Sequence, residues 1–322
     1  MPNFNITQRP TLFLITVAIL LSASHASAQQ QVRGFAVDRF YTSAPGGGWL
    51  VMDELNMHGS FGGAIALNLG YASNPLRITN GVQSLSVVSH QAIADFGFAF
   101  TYDRIRLYLN LATPFAIKGQ SGNIANNSYT GPSVDWGSNP DVLLDARVGF
   151  DARIFGRPGS PFRLGASAQL FIPSGKPADY ETDGTWRGMI RALFAGDVSF
   201  WTYAAHIGVH IRPLNEAKID GAPRGSELLF GVATGPRLWV GRATAIIVGP
   251  EIYGETAFKS FFSSPATGLE ALMSARIESL GDNRANFRIK LGAGGGLSPY
   301  FGAAQWRVVL AVELFGCKDV KH

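Results

Sequence analysis

The chain has 322 residues, of which 46% are apolar and only 16% charged, and this balance excludes a disordered or collagen-like polypeptide. Its single cysteine, Cys317, excludes a disulfide-rich scaffold and a cysteine-based zinc cluster. The formal net charge of +4 is too small to predict a nucleic-acid partner. After the first thirty residues no apolar run reaches eighteen residues, so membrane-spanning helices are not predicted.

Residues 1–28 have the order of features found in a cleaved secretory signal peptide. Arg9 precedes an apolar run over residues 11–22, and residues 26–28 form a small-residue cleavage site. The run is too short to span a bilayer, and a buried amphipathic helix is the alternative interpretation. Removing these residues takes away Arg9 and no acidic residue, which leaves 26 of the 27 basic residues against 23 acidic ones. We therefore expect an exported chain without a nucleic-acid partner.

From about residue 60 to residue 314 the chain alternates apolar and polar positions, which is the period of a strand with one apolar face. Val148 and Phe150, for example, alternate with Arg147 and Asp151. Twelve segments show this pattern, and an even number is typical of bacterial outer-membrane barrels. The segments are 60–71, 85–102, 105–117, 141–155, 162–172, 187–200, 203–212, 226–238, 243–255, 269–281, 286–297 and 304–314.

The charged residues of these segments all fall on the face opposite the apolar residues, and His206 and His210 share that face. In a soluble β-sandwich these charges would meet water, whereas in a membrane barrel they would line the lumen. The basic positions are Arg106, Arg147, Arg153, Arg163, Arg187, Arg191, Arg212, Arg237, Arg276, Arg288, Lys290 and Arg307. The acidic positions are Asp95, Asp141, Asp145, Asp151, Asp197, Glu227, Glu251, Glu255, Glu270, Glu278 and Glu313.

The connections distinguish the two architectures, because they alternate between short turns and mostly longer loops, as in outer-membrane barrels. The longer connections are 72–84, 118–140, 173–186, 213–225 and 256–268. Aromatic residues also gather near both strand ends. The sequence therefore predicts an all-β fold, a twelve-stranded antiparallel transmembrane β-barrel over residues 59–316, followed by a short periplasmic tail over 317–322. The long loops are expected outside the cell and the mature N-terminus in the periplasm.

Residues 29–58 form a separate N-terminal segment before the barrel. It contains Asp38, Arg39, Asp53 and Glu54, which would pair with lumen charges if the segment lay inside the barrel as a plug. A free periplasmic tail is the alternative, and the sequence does not decide between them. The glycine triplet at residues 46–48 lacks the lysine and following helix of a phosphate-binding loop.

Three stretches within residues 35–115 are distinctive: GFAVDRF, GGGWLVMDELNMHGSFGGAIALNLGYASNPL and QAIADFGFAFTYDRIRLYLNLATPF. They resemble the N-terminal β-barrel part of OmpA-family outer-membrane proteins of delta-proteobacteria. The resemblance implies an outer-membrane barrel and supplies no catalytic residues. Many members of that family continue into calcium-binding repeats and a peptidoglycan-binding domain, whereas this sequence has no D-x-D-x-D-G repeat. Contact with peptidoglycan is therefore not expected.

Catalytic and metal-binding interpretations have little support in the sequence. His206 and His210 lie four residues apart on one strand, roughly 13 Å, which is too far for one metal ion. A lipid hydrolase of the outer-membrane phospholipase type would need a serine and a histidine together. His90, close to Ser86 and Ser89, is the candidate for that alternative.

The sequence thus predicts an outer-membrane barrel with a structural or passive narrow-pore role. Twelve basic and eleven acidic inward residues would form a mutually paired network that largely fills the lumen. Membrane lipid is the expected partner, small polar solutes are the candidate cargo, and no enzyme activity, cofactor or metal is expected.

Overall fold

The computed structural model describes residues 30–57, 61–124, 126–214, 225–240, 243–279, 286–298 and 302–318. Its strands, in chain order, are β1 (Gln30–Gln31), β2 (Phe61–Thr79), β3 (Ser84–Tyr102), β4 (Ile105–Lys118), β5 (Gly122–Ile124), β6 (Asn127–Tyr129), β7 (Ser133–Asp135), β8 (Ala146–Phe155), β9 (Arg163–Ile172), β10 (Arg187–Val198), β11 (Trp201–Ile211), β12 (Glu227–Val240), β13 (Thr244–Ala257), β14 (Thr267–Ser279), β15 (Asn286–Gly296) and β16 (Trp306–Lys318). Three short 3-10 turns lie in the loops, at Pro177–Asp179, Phe258–Ser260 and Ser264–Ala266. None of the helices in the described ranges has the length and apolar character to span a bilayer.

Twelve of these strands form one closed antiparallel barrel. Each long strand pairs with the next along the chain, except that β4 pairs with β8 across the loop that contains β5, β6 and β7. The last strand, β16, pairs with β2 and so joins the end of the sheet to its beginning. The predicted twelve-stranded fold is confirmed.

The alternation in the sequence places apolar residues outside and charged residues inside. On β8, Val148 and Phe150 are exposed, while Arg147 and Asp151 are buried. A soluble sandwich would bury the apolar face, so the sandwich alternative is wrong for this chain. The apolar exterior instead matches a barrel that meets lipid.

The prediction of a long loop over residues 72–84 is wrong. Asn74 and Pro75 suggest a turn, but the structure forms a β-bulge between Ser73 and Leu76, with a positive φ at Asn74, and β2 continues to Thr79. The connection to β3 is the tight turn at residues 80–83. The strand predicted from residue 141 begins instead at Ala146.

Residues 35–57 lie inside the barrel, where Phe35, Trp49 and Met52 are almost fully buried, whereas Gln31 before them is exposed. The segment begins at the long-loop end, because Val32 N–H donates to the Ser128 carbonyl in the loop between β4 and β8 at 2.9 Å. It ends at the short-turn end, where Arg153, near the end of β8, binds the Met57 carbonyl at 2.8 Å.

This path corrects the expected orientation. The start of the N-terminal segment and the long loops share one end of the barrel, since β1 pairs with β6 within such a loop. The two predictions, long loops outside the cell and a mature N-terminus in the periplasm, are therefore incompatible with each other. The sequence could not indicate this, because residues 29–58 show no periodicity that fixes a direction.

Candidate functional site

The interior of the barrel is the candidate site, and it holds all the residues that the sequence predicts to line the lumen. Asp197 and Arg237 are half-buried there, and the other residues of the predicted sets are buried. The buried members of the set include Arg106, Asp145, Arg147, Asp151, Arg153, Arg163, Arg191, Arg212, Glu227, Glu251, Glu270, Arg276, Arg288, Lys290, Arg307 and Glu313. Their partners belong both to the wall and to the N-terminal segment.

At the short-turn end, Arg106 of β4 bridges the segment and the wall. Its guanidinium binds Asp53 of the segment and Asp151 of β8, the latter at 2.7 Å. Arg153 donates to the Leu55 carbonyl at 3.1 Å. Side chains of the wall therefore hold both the charges and the backbone of the segment in place.

Glu54 is the most connected carboxylate of the segment. It binds the Arg276 guanidinium, accepts a hydrogen bond from Thr202 at 3.2 Å, and lies 4.0 Å from Arg237. The Glu54 backbone carbonyl accepts from Arg163 Nε at 2.9 Å. Four wall strands thus converge on one residue of the segment.

In the middle of the barrel the wall binds the backbone of a short hairpin in the segment, closed by the antiparallel bridge between Gly48 and Asp53. Glu251 of β13 accepts hydrogen bonds from the backbone N–H groups of Leu50 at 3.0 Å and Val51 at 2.9 Å. Lys290 of β15 donates to the Trp49 carbonyl at 2.9 Å. Buried backbone groups that lack strand partners are satisfied in this way.

Glycines of the wall make room for the apolar side chains of the segment. A side chain at Gly231 would collide with Met52, and one at Gly292 would collide with Leu50. Because these glycines face inward on β12 and β15, their missing side chains create the sockets into which the segment packs.

Near the long-loop end, Arg39 and Arg212 share the carboxylates of the barrel wall. Arg39 lies 3.1 Å from Glu227 and 3.0 Å from Glu255, and Arg212 lies 3.0 Å from Glu227. His210 lies beside the same two glutamates, and the potential metal-ligand atoms of His210, Glu227 and Glu255 all lie within 4.8 Å of one another. Sequence reasoning missed this juxtaposition, although His210 and Glu227 are directly paired across β11 and β12. Two guanidinium groups already neutralise these carboxylates, so the geometry favours an ion-pair cluster over a metal centre.

His206 stands apart from this cluster. It is buried four residues earlier on β11, on the same inward face.

The loop between β9 and β10 also contributes to the interior, which sequence reasoning did not find. Asp183 binds Arg212 at 2.6 Å and accepts a hydrogen bond from the Ala36 backbone at 2.9 Å. The loop's sequence has no pattern that distinguishes an inward-folded loop from an exposed one.

The histidine considered for hydrolysis lies outside this network. His90 Nδ1 is 2.6 Å from the Tyr71 hydroxyl, and the Ser89 hydroxyl donates to the Ser86 carbonyl at 3.2 Å. Neither contact is a serine–histidine pair, so the geometry adds nothing to the hydrolase alternative.

No protein-family model and no curated protein matches the sequence. Among solved structures, an outer-membrane channel from Pseudomonas putida F1 is similar, with a TM-score of 0.52 and 11% identity, covering 81% of this chain and 97% of that chain. The NanC porin aligns with a TM-score of 0.46 and 7% identity, covering 78% of this chain and 98% of that chain. At this identity the likeness to the channel shows the outer-membrane barrel fold alone.

Proposed function

We propose that the chain is an outer-membrane protein of a Gram-negative bacterium, exported by a signal peptide over residues 1–28. Two features support this location. The exterior of the barrel is apolar, and exposed aromatic residues cluster near both ends of the strands. Examples are Tyr102, Trp201 and Trp239 at the short-turn end and Trp136, Trp186 and Trp306 at the long-loop end. The short turns then face the periplasm and the long loops face outward.

The finer assignment to the OmpA family is also part of this proposal. It is supported by the sequence likeness within residues 35–115 and by no other observation. Membrane lipid is the proposed partner of the barrel's outer face.

The role we propose is that of a structural or passive narrow-pore barrel, without enzymatic activity, whose lumen is closed by its own N-terminal segment. One observation carries this proposal: from Arg39 to Glu54 the segment is bound to the wall by buried charges and backbone hydrogen bonds. Removing one partner of such a buried pair leaves an uncompensated charge, which opposes release of the segment. Small polar solutes are the molecules that the remaining space would admit.

Single-channel conductance in a planar bilayer tests this role. The intact chain should give small or absent currents, because the segment occupies the lumen. The double substitution Gly231→Leu and Gly292→Leu should raise the conductance, since the new side chains take the space of Met52 and Leu50. Heat-modifiable migration on a gel establishes that each variant has folded.

Gly188→Leu is the matched control, because a side chain at this half-buried position meets only ordinary contact. It should conduct like the intact chain. A steady porin-sized current through the intact chain would overturn the proposal. Unchanged currents in a folded double variant would do the same.

A further inference from the structure

The segment leaves part of the lumen unfilled. A cavity of about 100 Å³ lies beside it, between the segment and the wall formed by β2, β3, β4, β8 and β16. It reaches from Glu181, in the loop between β9 and β10, to Asn68 and Asn110 in the middle of their strands. Thr42, which donates to Asp95 at 2.5 Å, also lines it. This volume holds several water molecules or one small solute.

Five buried polar atoms of the lining lack a hydrogen-bond partner among the described residues: Gln91 Oε1, Asn110 Oδ1, Arg147 Nη1, Glu181 Oε1 and Arg187 Nε. The orientation of Asn110 is fixed, since its amide nitrogen donates to Asp95 at 2.9 Å and so leaves its oxygen free. Asn110 and Arg147 are directly paired across β4 and β8. Gln91, Asn110 and Arg147 together therefore offer two acceptors and one donor, and buried groups of this kind are costly to leave unpaired.

The charges of the lining balance one another. The three basic side chains of the lining each pair with a carboxylate that also lines it: Arg307 with Asp38 at 2.9 Å, Arg147 with Asp95 at 3.5 Å, and Arg187 with Asp145 at 2.7 Å. Outside the lining, Arg307 also binds Glu270 at 3.0 Å and Arg187 lies 3.7 Å from Asp183. The fourth carboxyl, Glu181, is neutral at pH 7, because burial raises its pKa to about 8. The cavity has no excess charge to offset the desolvation of an ionic ligand, so it favours a neutral one.

Aromatic rings complete the wall. The rings that line the cavity are Phe40, Tyr41, Phe171 and Tyr180. Sites for small molecules combine such apolar walls with a few polar groups that fix the orientation of the ligand. A ligand with C–H faces and several hydroxyl groups matches both parts of this lining.

We propose that this cavity binds a small neutral polyol of the size of glycerol, entering from the long-loop end. Its hydroxyl groups would donate to Gln91 Oε1 and Asn110 Oδ1, and one of its oxygens would accept from Arg147 Nη1. This binding role goes beyond the proposed closed barrel. It requires the folded barrel and does not require that the lumen conduct, so a conductance result and a binding result are separate.

Saturation-transfer difference NMR on the full chain, refolded in detergent, tests the proposal with three probes. Glycerol, D-glycerate and 2-aminopropane-1,3-diol are close in size and differ in charge. Glycerol should show transfer from the protein, and the charged analogues should bind several-fold more weakly, because the lining has no net charge.

Gly70→Val is the variant that locates the site. A side chain at Gly70 meets no protein atom within 4 Å and enters the cavity, so binding of glycerol should weaken roughly tenfold while the barrel folds normally. Gly188→Val, outside the cavity, is the control and should bind like the unmodified chain. Three results would overturn the proposal. The first is no transfer to any of the three probes, which means a cavity filled by water only. The others are stronger binding of a charged analogue and unchanged glycerol binding in Gly70→Val.

Discussion

The difference between a lipid-facing and a lumen-facing residue is one position along a strand. This is why the charged set could be predicted from the sequence: inward residues such as Arg147 and outward residues such as Val148 follow strict alternation. Individual partners could not be predicted. Arg106 binds Asp53, a residue more than fifty positions away in a segment without strand periodicity.

An arginine in place of Val148 tests the register at a single residue. Val148 is exposed on the barrel's exterior in mid-strand, so its replacement would place a charge in the hydrocarbon layer. The free energy of unfolding should fall by roughly 2 to 4 kcal/mol, measured by chemical denaturation in phospholipid vesicles.

The matched control is Val82→Arg, at a fully exposed position in the turn between β2 and β3, beyond the apolar band. It should change the unfolding free energy little. Equal losses at the two sites would mean that Val148 does not face lipid.

At the scale of elements, strands were predictable and loops were not. Every long strand has the alternating pattern, whereas the extension of β2 past Asn74 depends on a bulge at residues that normally signal a turn. The inward fold of the loop between β9 and β10 depends on Asp183 reaching Arg212. Such contacts join distant parts of the chain and leave no local signal.

That same loop should respond to pH through Glu181. The side chain is buried and accepts a hydrogen bond from the Lys176 backbone at 2.9 Å, and burial, with repulsion from Asp141 and Asp179, raises its pKa to about 8. Between pH 4.5, the ordinary pKa of a glutamate, and about pH 8, the Glu181 carboxyl therefore keeps its proton in the folded loop and loses it in the unfolded chain. Stability of the loop should fall as pH rises between these two values and then level off.

Limited digestion with chymotrypsin measures this effect. Cleavage after Tyr180, relative to cleavage after the exposed Phe261 in another loop, should increase from pH 6 to pH 9. In Glu181→Gln the ratio should stay constant, because the amide does not ionise. An equal increase in both proteins would show that another group controls the loop.

At the scale of the whole molecule, the N-terminal segment passes through the lumen of its own barrel from the long-loop end to the short-turn end. The segment's hydrophobic side chains pack with the wall, as Leu50 and Met52 do beside the inward glycines. The sequence raised this arrangement as one of two hypotheses, since the segment carries charges of both signs. Its direction could not be predicted, because the contacts that tie its start to the long-loop end, such as the pairing of β1 with β6, join distant parts of the chain.

The path of this segment is tested most directly by cysteine labelling of intact cells in a Cys317→Ser background. Gln31→Cys, at the long-loop end, should react with a membrane-impermeant maleimide, as should Lys259→Cys in an exposed loop at the same end. Arg104→Cys, in the short turn between β3 and β4, should react only after the outer membrane is permeabilised. If Gln31→Cys behaves like Arg104→Cys while Lys259→Cys reacts in intact cells, the segment does not cross the lumen and the account is contradicted.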